Sequence, residues 1–209
     1  MLEIPLMDLH LGKMAWNSET GENYDYKIAK KRFFFVLNDI IERVQDREDI
    51  ERIVFIFGND FFNFDTHTGT TTQGTQQDND LRWQKLFSVG VEILVKAIDM
   101  LANIAPIQSV LVQGNHDKMT SYYAAQYISA WFRDDERVTF LHDPKLRKYV
   151  RYGNSLIGFT HGDKEKKRLN GLMQIEAAEA WGETKYREWH MGHIPICPQP
   201  HSLLVLQTL

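Results

Sequence analysis

Short apolar runs with strand character alternate along the chain with longer segments that have a helical period. The strand-like runs are bounded mostly by Gly, Asn or Asp, which favour turns. They are Leu2–Met7, Arg52–Phe57, Ser109–Val112, Val138–Leu141, Lys148–Tyr152 and Leu156–Thr160, followed by a short run at Tyr186–Met191. Between the first three runs, apolar side chains recur on one helix face. They are Phe33, Val36, Leu37, Ile40, Ile41 and Val44 in the first segment and Phe87, Val91, Leu94, Ile98 and Leu101 in the second.

A third helix is expected after Thr120, because Thr120 and Ser121 are residue types that cap helix starts. This helix would place Tyr123, Tyr127, Ile128 and Trp131 along one stripe. Stacking on nucleic-acid bases is an alternative for Trp83, Trp131, Trp181 and Trp189. We interpret them instead as mainly core residues, Trp131 on its helical stripe and Trp189 in a strand-like run.

The order strand, helix, strand, helix, strand predicts an α/β sheet with right-handed crossovers, in which ligands gather at the carboxyl ends of the strands. Gly153 and Asn154 separate two strand-like runs and indicate a hairpin, so the second half should turn antiparallel. We therefore expect an α/β fold of the α+β type with a mixed β-sheet. The polar stretch 66–80 is long for a connection, and loops of this length are either functional lids or disordered.

The composition excludes fewer classes of function than the motifs do. The chain has 209 residues, 43% of them hydrophobic, which is enough for one domain, and a net charge of −4. This charge disfavours a dedicated nucleic-acid-binding module but not a nuclease, because bound metal ions can meet a phosphate. The single cysteine, Cys197, can form no internal disulfide and no Cys-rich metal cluster. No targeting signal or membrane-length apolar run stands out, so we expect a cytoplasmic protein with no membrane partner.

Asp, Asn and His residues follow five of the strand-like runs. The clusters are Asp8-Leu9-His10, Gly58-Asn59-Asp60, Gly114-Asn115-His116-Asp117, His161-Gly162-Asp163 and Gly192-His193. Taken singly, clusters such as Gly58-Asn59-Asp60 are readily explained as ordinary turns, whereas Gly114-Asn115-His116-Asp117 is a stronger signal because a turn has no need of histidine. Five of them at strand ends are hard to attribute to turn chemistry, and carboxylate, amide and imidazole groups together suit a pair of divalent cations. Two cations about 3.5–4 Å apart need a bridging carboxylate, for which we choose Asp60. The absence of thiolate favours Mn²⁺, with Mg²⁺, Fe or Zn²⁺ as alternatives, over Ca²⁺.

In order and content these five motifs resemble the calcineurin-like metallophosphoesterases, over nearly the whole chain to residue 193. Gly58-Asn59-Asp60-Phe61-Phe62-Asn63 and Thr160-His161-Gly162-Asp163 resemble the phage and bacterial DNA-repair exonuclease branch. The resemblance implies a two-sheet sandwich flanked by helices. It also implies that Asp8 and His10 bind the first metal, that Asp60 bridges, and that Asn115, His161 and His193 bind the second. His116 would then protonate the leaving group, with Asp117 orienting its ring.

The chain departs from that family at its end. The family motif Gly-His-x-His is here Gly192-His193-Ile194-Pro195, so the first metal loses a ligand and weak occupancy is expected there. His190 and His201 are the candidate substitutes. We expect a metallophosphoesterase domain over residues 1–194 and an irregular tail over 195–209, since three prolines disfavour regular structure there.

The expected function is hydrolysis of phosphate esters by water that the metals activate for in-line attack, with His116 as general acid. A phosphodiester of DNA is the favoured substrate, which would make the protein a nuclease. The alternatives are a phosphomonoesterase or nucleotide pyrophosphohydrolase, since loops rather than ligands set the substrate. A third alternative is a catalytically impaired metal- or phosphate-binding protein, because of Pro195.

Overall fold

A four-stranded parallel sheet forms the centre of the computed structural model, which describes residues 1–165 and 168–193. The strands β1 (Leu2–Pro5), β2 (Ile53–Gly58), β3 (Ile107–Val112) and β4 (Val138–Leu141) lie side by side in chain order. All three neighbouring pairs are parallel, with Ile53 opposite both Leu2 and Ile107. The carboxyl ends of the strands therefore meet at one edge, which is where the sequence places its polar clusters.

A second sheet contains β5 (Lys148–Tyr152), β6 (Ser155–Thr160) and β7 (Tyr186–Met191). β5 and β6 form the hairpin expected at Gly153-Asn154, whereas β7 adds to β6 in parallel. Gly153 lies at φ 54°, in the left-handed region that a tight hairpin turn requires and that glycine adopts without strain. The expectation of a mixed α/β structure is thus confirmed in its coarse form, with one parallel and one mixed sheet.

Both faces of the parallel sheet are buried, which explains why β2 is apolar at nearly every position. Alternate residues of β2 point to opposite faces. Phe55 and Phe57 pack with the helices, whereas Val54 and Ile56 pack against the second sheet through Ile157 and other apolar residues. The two sheets are therefore layers of one structure, with helices covering the outer face of the first.

The helices in chain order are α1 (Asn17–Thr20), α2 (Tyr26–Val44), α3 (Trp83–Ala102), α4 (Lys118–Trp131), α5 (Leu169–Glu176) and α6 (Ala178–Glu183). The two helices predicted from periodicity, α2 and α3, are confirmed. Phe33 and Leu37 of α2 are fully buried, as are Leu94 and Ile98 of α3. Among the described residues, no helix is long and apolar enough to cross a bilayer.

The predicted start of α4 is wrong, because the helix begins at Lys118 and its N-cap is Asp117. Thr120 lies within the first turn rather than capping it. The free N–H groups of this turn are bound by Asp65, whose carboxylate accepts hydrogen bonds from Met119 N at 2.9 Å and Thr120 N at 2.7 Å. A carboxylate 54 residues away in sequence therefore replaces the local cap that the sequence suggested.

The predicted core stripe on α4 is also wrong for its aromatic members. Tyr123, Tyr127 and Trp131 are 56%, 40% and 59% exposed. The buried face consists of Ser121, Ala124, Ala125 and Ile128. Small side chains let the helix approach the sheet closely, which turns the larger aromatic residues to its outer side.

The polar stretch 66–80 folds as a loop with turns of its own. Thr70 and Gln76 form an antiparallel bridge across it. Asp65 fixes its base by accepting hydrogen bonds from Thr72 Oγ1 at 2.7 Å and from the start of α4. The loop is thus attached to the same strand-exit edge as the polar clusters.

Candidate metal centre

The loops that follow β1 and β2 are joined by backbone hydrogen bonds. Asp8 N donates to the carbonyl of Asn59 and His10 N to that of Asp60, each at 3.0 Å. Among the described residues, these same four are the only non-glycine residues with positive φ, between 46° and 64°. Left-handed backbone costs energy for residues with a Cβ, although Asp, Asn and His adopt it more often than other types. The strain is concentrated where the polar side chains converge.

Asp60 lies at the centre of the cluster and is 2% exposed. Its Oδ1 accepts a hydrogen bond from His116 N at 2.8 Å, and its Oδ2 lies 3.3 Å from His161 Nε2. Gly114 permits this approach, because a Cβ at that position would lie 2.0 Å from Asp60 Oδ1 and 2.3 Å from the Asp60 nitrogen. The glycine of the Gly114-Asn115-His116-Asp117 motif is therefore a steric requirement.

Asp8, His10 and Asp60 form the first potential ligand group, with one ligand atom from each lying within 4.8 Å of the others. Asp8 Oδ2 and His10 Nδ1 are buried and have no hydrogen-bond partner among the described residues. Burial, and then the charge of Asp60, raises the pKa of Asp8 to about 7. Burial lowers the pKa of His10 to about 4. Two carboxyl groups and a neutral imidazole thus face one another with unsatisfied atoms.

Asp60, His161 and His193 form the second potential ligand group. The His161 and His193 rings lie 4.7 Å apart between centroids. His161 Nε2 also lies 2.6 Å from Asn115 Oδ1, so the amide oxygen of Asn115 joins this group. The structure thereby brings together all six residues expected as metal ligands, with Asp60 common to both groups.

The donor set around His161 fits a cation. Burial lowers the pKa of its imidazole to about 4, so the ring is neutral at pH 7 and carries one N–H. Nδ1 contacts Asn59 Oδ1 and must use that proton there. Nε2 then presents a lone pair toward the oxygens of Asn115 and Asp60. Lone pairs that face one another at these distances repel, and a positive ion among them would remove this repulsion.

His116 lies beside this centre, with its ring 4.7 Å from that of His10. Asp117 does not orient this ring, contrary to the prediction from the resemblance. Its carboxylate is fully buried and accepts from Phe62 N at 3.0 Å and Gly114 N at 3.2 Å. Burial, and then the charge of Asp60, raises its pKa well above the usual range. Asp117 therefore organises the backbone of the loops that follow β2 and β3.

The partner of His116 is Asn63, whose carbonyl oxygen lies 2.9 Å from His116 Nδ1. Asn63 is itself fixed by donating from Nδ2 to Asn79 Oδ1 at 2.8 Å. Asn63 belongs to the motif that begins at Gly58, but the motif predicts no role for it. The sequence pattern likewise predicts no role for Asn59 or Asp65, although all three residues lie within eight residues of the end of β2.

A cavity of about 320 Å³ opens at this site. One side is formed by Asn115, His116, Asp163 and His193 and the other by Thr71, Gln73, Thr75 and Gln77 of the polar loop. Among the described residues, no Lys or Arg lines it. The polar loop is thus a wall of the site that offers hydroxyl and amide groups.

The proposed substitutes for the missing last ligand receive no support. His190 pairs with Glu3 through Nδ1 at 2.7 Å and belongs to neither ligand group. His201 and Pro195 lie outside the described residues, as does the expected irregular tail.

No protein-family model matches the chain, and a search of curated proteins finds no match.

Proposed function

We propose that this protein is a metal-dependent hydrolase of phosphate esters that holds two divalent ions, with Mn²⁺ as the favoured metal. The observation that carries the proposal is the position of Asp60, a buried carboxylate shared by two groups of potential ligands. A carboxylate shared in this way is what a pair of closely spaced cations requires. The resemblance of the strand-exit motifs to calcineurin-like metallophosphoesterases supports the same conclusion.

Divalent ions at this centre would supply Lewis-acid activation of water and neutralise charge on the phosphoryl oxygens. Asp8 and His10 would hold one ion, and Asn115, His161 and His193 the other, with Asp60 between them. Asn59 fixes the His161 ring so that Nε2 faces the centre. His116 lines the cavity with Nδ1 held by Asn63, so Nε2 is the atom that exchanges a proton with the leaving group.

The cavity favours a diester over a monoester. A phosphate monoester carries close to two negative charges near neutral pH and is typically bound by Arg or Lys. The described walls of the cavity carry no such cation, and Asp163 adds a carboxyl group. A diester has one negative charge and a second organic group that amide and hydroxyl side chains can contact. A phosphodiester of nucleic acid, and hence a nuclease, is the substrate class we favour.

The test compares hydrolysis of bis-p-nitrophenyl phosphate with that of p-nitrophenyl phosphate, with Mn²⁺ and with chelator. We expect Mn²⁺-dependent activity that favours the diester. His116→Ala should lower kcat by about 10²–10⁴-fold, the usual contribution of a general acid, while the Mn²⁺ content stays the same. His190→Gln is the matched control, because this histidine is also partly buried but pairs with Glu3 away from the cavity.

The possible outcomes separate the alternatives. Preference for the monoester would replace our proposal with a phosphomonoesterase. Hydrolysis of neither ester by Mn²⁺-loaded protein would leave a metal- or phosphate-binding protein. Equal losses in His116→Ala and His190→Gln would remove His116 from the mechanism.

A further inference from the structure

A second cavity, of about 400 Å³, lies next to the polar loop and is separate in its lining from the metal centre. His67, Thr68, Gly69 and Asn79 of the loop region line it, together with the start of α3. The two cavities have no lining residue in common, yet both use the loop as a wall. The volume of the second cavity lies within the range of small-ligand sites. A chain-like ligand that crosses this loop would reach both cavities.

Trp83 offers an open aromatic surface in the second cavity. It is the first residue of α3 and is 50% exposed, so its interpretation as a core residue is wrong. Within residues 1–165 and 168–193, no aromatic ring or cationic side chain packs on its indole. Trp131, which is 59% exposed, differs in that Tyr127 stacks on it at 5.9 Å between centroids. An exposed, uncovered indole is a surface on which a nucleobase can stack.

Arg82 lies beside Trp83 and also lines the cavity. In the part of the chain that the structure describes, it is the one arginine whose guanidinium group makes no hydrogen bond or ion pair, whereas that of Arg133, for example, pairs with Asp134. Arg82 is the N-cap of α3, and no side chain caps this helix. A guanidinium group next to uncapped N–H groups presents positive charge and donors to an anion. The cavity thus combines a stacking surface with a site for a phosphate.

We propose that this cavity binds one nucleotide of a single-stranded nucleic acid, with the base on Trp83 and the phosphate at Arg82. The inference rests on the proposed function, which it deepens by naming the ligand that extends beyond the metal centre. The shared loop explains why a polymer suits the arrangement, because a strand whose phosphodiester enters the first cavity passes the loop to reach the second. An isolated planar apolar ligand would leave Arg82 without a partner.

The test measures binding of a short fluorescein-labelled oligothymidylate to the full chain by fluorescence anisotropy, with chelator present to prevent cleavage. Trp83→Ala should raise Kd by about 10-fold, equivalent to about 1.4 kcal/mol, as expected for loss of one base stack. Arg82→Gln should raise Kd and reduce the salt dependence of binding by about one counterion. Trp131→Ala and Arg133→Gln are the matched controls and should leave Kd within about twofold.

Mononucleotide competition separates the base from the phosphate. Thymidine monophosphate should displace the oligonucleotide, and deoxyribose 5-phosphate should not. Equal effects of Trp83→Ala and Trp131→Ala, or equal competition by the two compounds, would overturn the inference.

Hydrolysis of bis-p-nitrophenyl phosphate by the wild type reports separately on the proposed function. If the protein does not hydrolyse the diester but binds the oligonucleotide through Trp83, the proposed hydrolase is wrong and the nucleotide site at the second cavity is supported. If the protein hydrolyses the diester but its oligonucleotide binding does not depend on Trp83 or Arg82, the nucleotide site is wrong and the hydrolase is supported.

Discussion

Removal of the Asp65 carboxylate should destabilise the protein far more than removal of an ordinary helix cap. Asp65 is 8% exposed and accepts from four donors: Met119 N, Thr120 N, Thr120 Oγ1 and Thr72 Oγ1, at 2.7 to 2.9 Å. Hydrogen bonds to a charged acceptor contribute about 1.5–3 kcal/mol each, but those of one carboxylate overlap. The helix dipole adds about 0.3–1 kcal/mol. We expect Asp65→Ala to lower the free energy of unfolding by about 3 kcal/mol.

Asp25→Ala is the matched control, because Asp25 caps α2 with a single hydrogen bond from Ile28 N at 2.8 Å. A local cap of this kind contributes about 1 kcal/mol. Urea unfolding followed by circular dichroism gives both values. Hydrogen exchange should also accelerate at the amides of Met119 and Thr120 in Asp65→Ala, since these lose their acceptor. A cost for Asp65→Ala no larger than that for Asp25→Ala would refute the reasoning that Asp65 fixes both the loop and the helix.

Two further predictions concern the metal centre and the core. Mn²⁺ at about 100 times its Kd should stabilise the wild type by about 2.7 kcal/mol and raise Tm by about 5–10 °C in thermal denaturation. Asp60→Asn should lose this shift but keep its metal-free stability, because the substitution removes the repulsion between the carboxylates of residues 8 and 60. An unchanged shift in Asp60→Asn would show that Asp60 is not a ligand. Burial lowers the pKa of His142 from 6.5 to about 4, so protons bind the unfolded state more tightly and stability falls as pH drops below 6.5. From pH 7 to pH 5 this loss of stability is about 2 kcal/mol. In urea unfolding without metal, the free energy of unfolding of His142→Gln should therefore fall by about 2 kcal/mol less than that of the wild type over this pH range. An equal fall in both proteins would contradict the prediction.

The sequence predicts the structure best where the spacing of apolar residues is compatible with only one type of secondary structure. The apolar face of α3 predicts burial of Leu94 and Ile98 because a helix that covers a sheet must turn that face inward. Likewise, parallel strands bring their ends to one edge, so Asp8, Asp60 and Asn115 are predicted to lie near one another without knowledge of any contact. The prediction rests on topology, because the order of strands in a sheet determines which strand-exit loops are neighbours.

Contacts between loops that are far apart in the sequence cannot be predicted from local sequence patterns. The true start of α4 depends on Asp65, which belongs to another loop. The orientation of His116 depends on a backbone carbonyl at Asn63, and every residue type carries such a carbonyl. Apolar spacing predicts a core position for Trp131, but spacing alone does not tell which stripe of a helix faces the sheet. Small residues at Ala124 and Ala125 make the contact instead.

The backbone of the candidate metal centre accounts for the convergence of its side chains. The loops after β1 and β2 turn sharply and run side by side, which brings Asp60 next to both groups of potential ligands. Asp8, His10, Asn59 and Asp60 achieve this with left-handed backbone, at about 1–3 kcal/mol each. The hydrogen bonds from Asp8 N and His10 N to the facing carbonyls offset part of this cost. The positive φ values alone would fit ordinary turns, since Asp, Asn and His adopt them more readily than other residues, but here they coincide with the convergence of the Asp8, His10 and Asp60 side chains on one group of potential ligands.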